Sequence, residues 1–219
     1  MSALAQDRVT RIYDRQARLY DALIAPLEVT GCRARRRRLL ARAHGATLEV
    51  GIGTGKNLEF YGPDVNVVGV DVAPHMLARA RRRATRLALP VKLELADIRE
   101  LPYEDGVFDT VVATCLFCSV PDPVRGLAEL GRVVKPGGAV LLLEHVRPRG
   151  RFGAWLADTF VGFTRAVLGD EWNRCTEQHL APGGLEVVDV RREGIWREIV
   201  ARPGAVEGAR TTVAQSRAC

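Results

Sequence analysis

The stretch Leu48-Glu49-Val50-Gly51-Ile52-Gly53-Thr54-Gly55-Lys56-Asn57 decides the fold. Apolar positions run straight into a turn with alternate glycines, the order of a buried strand, a tight turn and a helix opening behind it. Twenty residues after Gly51, Asp71 closes a second apolar run, Asn66-Val67-Val68-Gly69-Val70-Asp71. A glycine-rich first turn with an acidic residue about 20 positions on is the sequence signature of a doubly wound sheet that holds an adenosine-type cofactor at its strand ends. The glycines let the backbone approach the ligand, and the carboxylate accepts from the ribose hydroxyls.

Outward from this core, strands and helices alternate. Residues 7–44 read as helical and are split near Pro26. Strands are predicted over Ala46–Gly51, Asn66–Asp71, Val91–Leu95, Phe108–Thr114 and Ala139–His145. Leu185–Val190 and Ile195–Ala201 form a closing antiparallel pair around Arg192-Glu193-Gly194. Helices are predicted over Gly55–Tyr61, from Pro74 to Leu87, from Asp122 to Val134, and over residues 151–168, where Phe152, Trp155, Leu156, Phe160 and Phe163 recur at helical spacing. The pattern gives an α/β, Rossmann-like fold: a seven-stranded, mostly parallel sheet with helices on both faces. Residues 1–45 form an N-terminal helical cap, residues 46–202 the cofactor-binding domain, and residues 203–219 a disordered tail.

A chain of 219 residues suffices for one domain with a large core. No apolar run reaches the roughly 18 residues of a membrane span, and residues 1–8 lack the order of a signal peptide. A cytoplasmic protein is expected. Five cysteines without framework spacing fit a reducing compartment. Cys115 and Cys118 form a lone CxxC with no second ligand pair, so strand-end residues near a pocket are the reading and no metal site is expected. The net charge of +6 comes almost wholly from arginines clustered at Arg33, Arg35, Arg36, Arg37, Arg38 and Arg42 and at Arg79, Arg81, Arg82, Arg83 and Arg86. Such a patch is either a solvated helix face or a peripheral contact with an anionic membrane. Without an aromatic platform, nucleic acid is disfavoured as a partner. Nothing in the sequence fixes the oligomeric state.

Three cofactors compete for the glycine turn. A P-loop requires a glycine five residues before the Gly55-Lys56 pair and Ser or Thr after the lysine; those places hold Val50 and Asn57. The alternation of Gly51, Gly53 and Gly55 departs from the G-x-G-x-x-G of nicotinamide dehydrogenases, although a nucleotide-cofactor oxidoreductase stays open. The third candidate is S-adenosylmethionine (SAM).

On this point the chain resembles the class I SAM-dependent methyltransferases. Residues 48–55 look like their first motif, and Val70-Asp71-Val72-Ala73-Pro74-His75-Met76-Leu77 is similar to the block that follows. Ala96-Asp97-Ile98 with Leu101-Pro102-Tyr103 and Gly106-Val107-Phe108-Asp109 resembles the next, and Arg132-Val133-Val134-Lys135-Pro136-Gly137-Gly138 the last. The four motifs stand in family order over about residues 46–146. The resemblance implies that Gly51, Gly53 and Gly55 carry the methionine part, with Glu49 orienting their loop or meeting the amino group. It implies Asp71 on the ribose, Val72 and Met76 against the adenine, Asp97 and Ile98 at its amino group, and Thr114 closing the methionine side.

Within the class the chain is similar to phosphatidylethanolamine N-methyltransferases, ubiquinone/menaquinone C-methyltransferases and alkyl-thiol S-methyltransferases. Tyr13-Asp14-Arg15 and Leu19-Tyr20-Asp21 resemble their cap motif, Cys118-Ser119-Val120-Pro121-Asp122-Pro123 the block after the fourth strand, and Glu144-His145-Val146-Arg147 the thiol and lipid branches. These likenesses imply Tyr20 over the reactive methyl, His145 as a group that takes a proton from the acceptor, and Tyr13 and Cys118 beside the acceptor. The acceptor expected is small or lipid-like: first an amine such as a phospholipid headgroup, then a thiol or a quinone precursor.

Overall fold

The structure is a computed structural model that describes residues 2–17, 20–23, 28–147 and 175–204, with the single positions 25, 150, 155 and 159. The helix expected over 151–168 and the tail beyond Gly204 lie outside the described residues, as does Pro26.

Seven strands make one sheet: β1 Ala46–Val50, β2 Asn66–Asp71, β3 Lys92–Leu95, β4 Phe108–Thr114, β5 Val134–His145, β6 Leu185–Glu193 and β7 Trp196–Pro203, in the spatial order β3-β2-β1-β4-β5-β7-β6. The first five are parallel, and β7 runs antiparallel between β5 and β6. The parallel strands are continuous apolar runs because both faces are covered. Four of the five β1 residues are buried, and Val111, Val112 and Ala113 of β4 are fully so.

The period of two assigns the faces. Leu48, Val50, Val111, Ala113, Val140 and Leu142 pack in one cluster with Leu127 and Leu130 of α5, Pro123–Val133. Their neighbours Val112, Leu141 and Leu143 point the other way, against Leu39 and Leu40 of α3, Arg33–Leu40. Val67 also faces that way and meets Leu77 and Ala84 of α4, Pro74–Arg86. Helices thus cover both faces. Proline opens both α4 and α5 at the position where its missing N–H costs nothing, and the Asp122 carboxylate caps α5 by accepting from the Arg125 N–H at 3.1 Å.

The N-terminal residues supply α1 Ser2–Gln16, α2 Tyr20–Leu23 and an irregular turn over Glu28–Cys32 that leads into α3. α1 packs on α4. Two expectations change. The helix predicted over Gly55–Tyr61 is only a 3-10 turn at Leu58–Phe60, because Gly51, Gly53 and Gly55 all take positive φ and the Asn57 side chain is spent on Glu49 and Thr114. The strand predicted from Ala139 begins at Val134, whose pairing with Phe108 is separated from the Thr110–Ala139 register by a bulge.

The arginine patch is largely paired. Arg33 meets Glu59, Arg35 and Arg38 meet Glu193 and Glu198, and Arg42 meets Asp189. These acids come from β6, β7 and the 3-10 turn, so the helix looks unneutralised only in sequence. Among the described residues, the exposed Arg37, Arg82 and Arg86 make no ion pair.

Candidate active site

The strand order reverses between β1 and β4, and ligands of open α/β sheets bind outside the carboxyl ends of the strands at that point. A cavity lies there. Its floor is Gly51 and Gly53 of the first turn; Val70, Asp71 and Val72 at the end of β2 and Met76 of α4 form one wall. Ala96 and Ile98 after β3 continue that wall. Thr114 at the end of β4, with Cys115, Leu116, Ser119 and Val120 after it, forms the other, and Tyr13 and Tyr20 roof it from the N-terminal cap.

The glycines do different work. At Gly51 a Cβ would lie 2.5 Å from Leu116 Cδ1 at a φ of +63°, so that position is closed by packing. At Gly53 a Cβ would meet no protein atom nearer than the Gly51 carbonyl at 4.0 Å, at a φ of +57°. As Gly53 lines the cavity, this open space is a cradle for a ligand lying against backbone. Gly55 does not line the cavity; a Cβ there would crowd Leu58 at 2.9 Å and the α4 backbone at Ala80 at 3.3 Å. It is needed for helix approach.

Asp71 binds its own frame first. Its carboxylate accepts from the Gly53 N–H at 2.8 Å and the Ala73 N–H at 2.9 Å, fixing the glycine turn to the end of β2. Burial pushes its pKa up to about 6 against the pull of those two bonds. Each oxygen keeps acceptor capacity for a ribose hydroxyl.

Glu49 lies below the turn, outside the cavity lining. It accepts from Tyr61 Oη at 2.8 Å and from Asn57 Nδ2 at 2.8 Å. Burial raises its pKa to about 7, opposed by the Tyr61 hydrogen bond and the charge of Arg36. These bonds tie Glu49 to Asn57 and Tyr61 behind the turn and not to the cavity. Asn57 also receives Arg36 Nη1 at 2.8 Å on its Oδ1, and Arg36 donates to Thr114 Oγ1 at 2.6 Å. Arg36 is buried, with Glu28 3.3 Å from its Nε.

Sequence reasoning missed Arg36, Asn57 and Tyr61. A signal for Arg36 existed: Cys32, Arg36, Leu39 and Leu40 are the buried residues of this segment and follow the spacing of one helix face. Its four arginine neighbours in the run masked it.

The cap is held from two sides. Asp14 accepts from the His75 N–H at the start of α4 at 3.0 Å. Asp21 accepts from Thr54 Oγ1 at 2.7 Å and from Arg83 Nη2 at 2.8 Å, with Lys56 and Arg79 each 3.7 Å away. Although burial pushes the Asp21 pKa up, the Thr54 bond and these cations hold it below the ordinary value. The Tyr13 and Tyr20 rings meet edge to face at 6.0 Å between centroids.

Three further expectations shift. Asp97 does not line the cavity: its carboxylate is in a two-point contact with Arg99, at 2.7 and 3.1 Å, while its neighbours Ala96 and Ile98 reach the wall. Cys118 is buried behind the wall with Sγ 3.5 Å from the Cys115 carbonyl, and Cys115 is the cysteine that faces the cavity. His145 is also outside the lining. It pairs with Trp196 across β5 and β7 with the two rings edge to face, and burial lowers its pKa to about 4, a weak base at neutral pH. Its neighbour Glu144 engages the site, accepting the backbone N–H groups of Leu116 at 3.0 Å and Phe117 at 3.2 Å. Among the described residues no group of His, Cys, Asp and Glu could hold a metal ion, and no helix is long and apolar enough to cross a membrane.

A switch-point cavity with an open glycine cradle and an acceptor at the end of β2 defines an adenosine-cofactor enzyme of the doubly wound class. Residues 48–142 match the family described as Methyltransferase domain. The chain is 41% identical over 186 residues to a phosphatidylethanolamine N-methyltransferase of Cereibacter sphaeroides, covering 84% of this chain and 90% of that one. It is 40% identical over 119 residues to a demethylmenaquinone methyltransferase of Deinococcus radiodurans, covering 52% of this chain and 49% of that one. A solved SAM-dependent methyltransferase of Thermotoga maritima superposes with a TM-score of 0.69 at 19% identity, over 89% of this chain and 99% of that one, and shares the fold. The chain belongs to the class I SAM-dependent methyltransferases. Its cofactor is SAM, and it is an enzyme that transfers a methyl group.

Proposed function

We propose that the methyl acceptor is the amine of a lipid-like molecule, a headgroup of the phosphatidylethanolamine type. The observation that carries this reading is the 41% identity to the Cereibacter sphaeroides phosphatidylethanolamine N-methyltransferase, which extends over 84% of this chain. Bound SAM supplies an electrophilic methyl on a sulfonium, so the chain's own work is to align the acceptor, exclude water and hold charge.

Tyr20 is the residue over the reacting methyl, and Tyr13 stands beside it. Their rings suit an ammonium product, since an aromatic face attracts a cation. Leu116 and Val120 give the acceptor side an apolar wall and Ser119 a polar contact. In this reading His145 packs against Trp196 and takes no proton. Arg37, Arg82 and Arg86, exposed and without ion pairs among the described residues, would bring the protein to an anionic lipid surface, each worth about 1 kcal/mol near that surface.

Radiolabelled methyl transfer from SAM tests the assignment against phosphatidylethanolamine vesicles, small alkyl thiols and a demethylquinol. Label in the lipid is the expected result. Label confined to the thiol or the quinol overturns the amine assignment and leaves the methyltransferase class intact.

A further inference from the structure

The Thr114 hydroxyl sits in an unusual hydrogen-bond position. A hydroxyl has one donor hydrogen and two acceptor lone pairs. Thr114 Oγ1 accepts from Arg36 Nη1 at 2.6 Å and from Asn57 Nδ2 at 3.1 Å, so both lone pairs are taken. The direction of these bonds is not open to exchange. A guanidinium only donates, so the Asn57 end that faces Arg36 at 2.8 Å must be its oxygen, and the amide nitrogen then faces Thr114 and Glu49. What remains to Thr114 is its hydrogen, which donates to no group among the described residues, and Thr114 is one of the residues that line the cofactor cavity.

With Thr114 at the cofactor's methionine part, as the family resemblance implies, we infer that Arg36 and Asn57 are positioning residues that force its hydroxyl to donate, which directs it to the methionine carboxylate. The inference rests on the SAM assignment and not on the acceptor proposed above. Of the polar groups at that end of SAM, the ammonium is cationic and can only donate, and the sulfonium carries no hydrogen-bond acceptor, whereas the carboxylate accepts. A fixed guanidinium behind the donor strengthens its pull on an anion and disfavours a cation in the same place. The groups that share this cluster are Glu28 and the Cys32 and Cys115 thiols, beside Arg36, and Glu49, beyond Asn57. A helix of the N-terminal cap therefore sets the polarity of a residue at the end of β4.

The test compares SAM with decarboxylated SAM, which lacks only the carboxylate, by binding calorimetry on the full chain. Wild type should prefer SAM. Thr114→Val, nearly isosteric, should lose roughly tenfold or more in SAM affinity and leave decarboxylated SAM unchanged, and Thr114→Ser should restore the preference. Arg36→Met should lower the same preference ratio and Arg36→Lys should keep part of it. A merely structural role for Arg36 would weaken both ligands together and leave the ratio intact. The inference is overturned if Thr114→Val weakens the two ligands equally, or if SAM affinity is unchanged while the KM of the methyl acceptor rises. Wild type that binds neither ligand would instead sink the cofactor assignment, a separable result.

Discussion

The Thr54 hydroxyl in the glycine turn donates to the Asp21 carboxylate in the cap at 2.7 Å. The loop that carries the cofactor and the segment that covers it are thereby one mechanical unit. Arg83 of α4 holds the other Asp21 oxygen at 2.8 Å.

Removing this clasp should loosen the roof without unfolding the sheet. Asp21→Ala loses a hydrogen bond and ion pair to a partly exposed carboxylate, about 1–2 kcal/mol of cap closure. SAM dissociation should speed up by roughly 5–30-fold in stopped-flow traces, with the thermal midpoint little changed. An off-rate equal to wild type would show that the cap does not retain the cofactor.

Asp71→Ala should weaken SAM binding by about tenfold or more, since it removes the ribose acceptor and frees the Gly53 N–H that the carboxylate holds. Calorimetry on the variant decides it: near-unchanged affinity is incompatible with the ribose assignment.

Two adjacent glycines of the motif should fail in different ways. Gly53→Ala points a methyl into the cradle and should abolish SAM binding at a stability cost of about 1–2 kcal/mol for the positive φ. Gly55→Ala drives its Cβ into Leu58 and the α4 backbone, so its larger effect is on the thermal midpoint. Equal binding losses with equal melting shifts would contradict this division of labour.

The buried carboxylates predict opposite pH trends for stability and for binding. Glu49, raised to about 7 by burial, contributes stability that is fully present below its unfolded pKa near 4.5 and is lost as pH rises through about 7. Glu49→Gln, neutral at every pH, should match wild type near pH 4 and melt at a higher temperature than wild type at pH 8. Cofactor binding runs the other way, because the ribose hydroxyls favour ionised Asp71. SAM affinity should fall by up to about tenfold per pH unit below pH 6. Calorimetric titrations at pH 5, 6, 7 and 8 check this; a flat profile excludes Asp71 as the titrating acceptor.

What the sequence disclosed follows from the range of the interactions involved. The glycine turn after β1 and the acidic residue that closes β2 were legible because a strand, its turn and the next strand are local units with fixed spacing, whereas Thr114 entered only through the family resemblance. The number of strands and the antiparallel closing pair were likewise carried by apolar runs and turn residues; the order of the strands within the sheet was not. Arg36 and Asp21 were not, because their partners stand 78 and 33 residues away at Thr114 and Thr54, and only the folded sheet brings them close. That His145 stands outside the cavity lining was hidden for a related reason. The β5–β7 pairing sets its ring against Trp196, outside the cavity lining, and only the folded sheet brings those two residues together.

The antiparallel β7 has a consequence for how the chain acquires its structure. It is the last described strand in sequence, yet it pairs between β5 and β6, so the apolar β5 edge from Val140 to His145 stays bare until residues 196–203 have been synthesised. A nascent chain that already holds the complete glycine turn is still a sheet with an open, aggregation-prone border. The residues that line the cofactor cavity, the last of them Val120, are therefore made before the sheet can close, and a growing chain is most exposed to misassociation between the two.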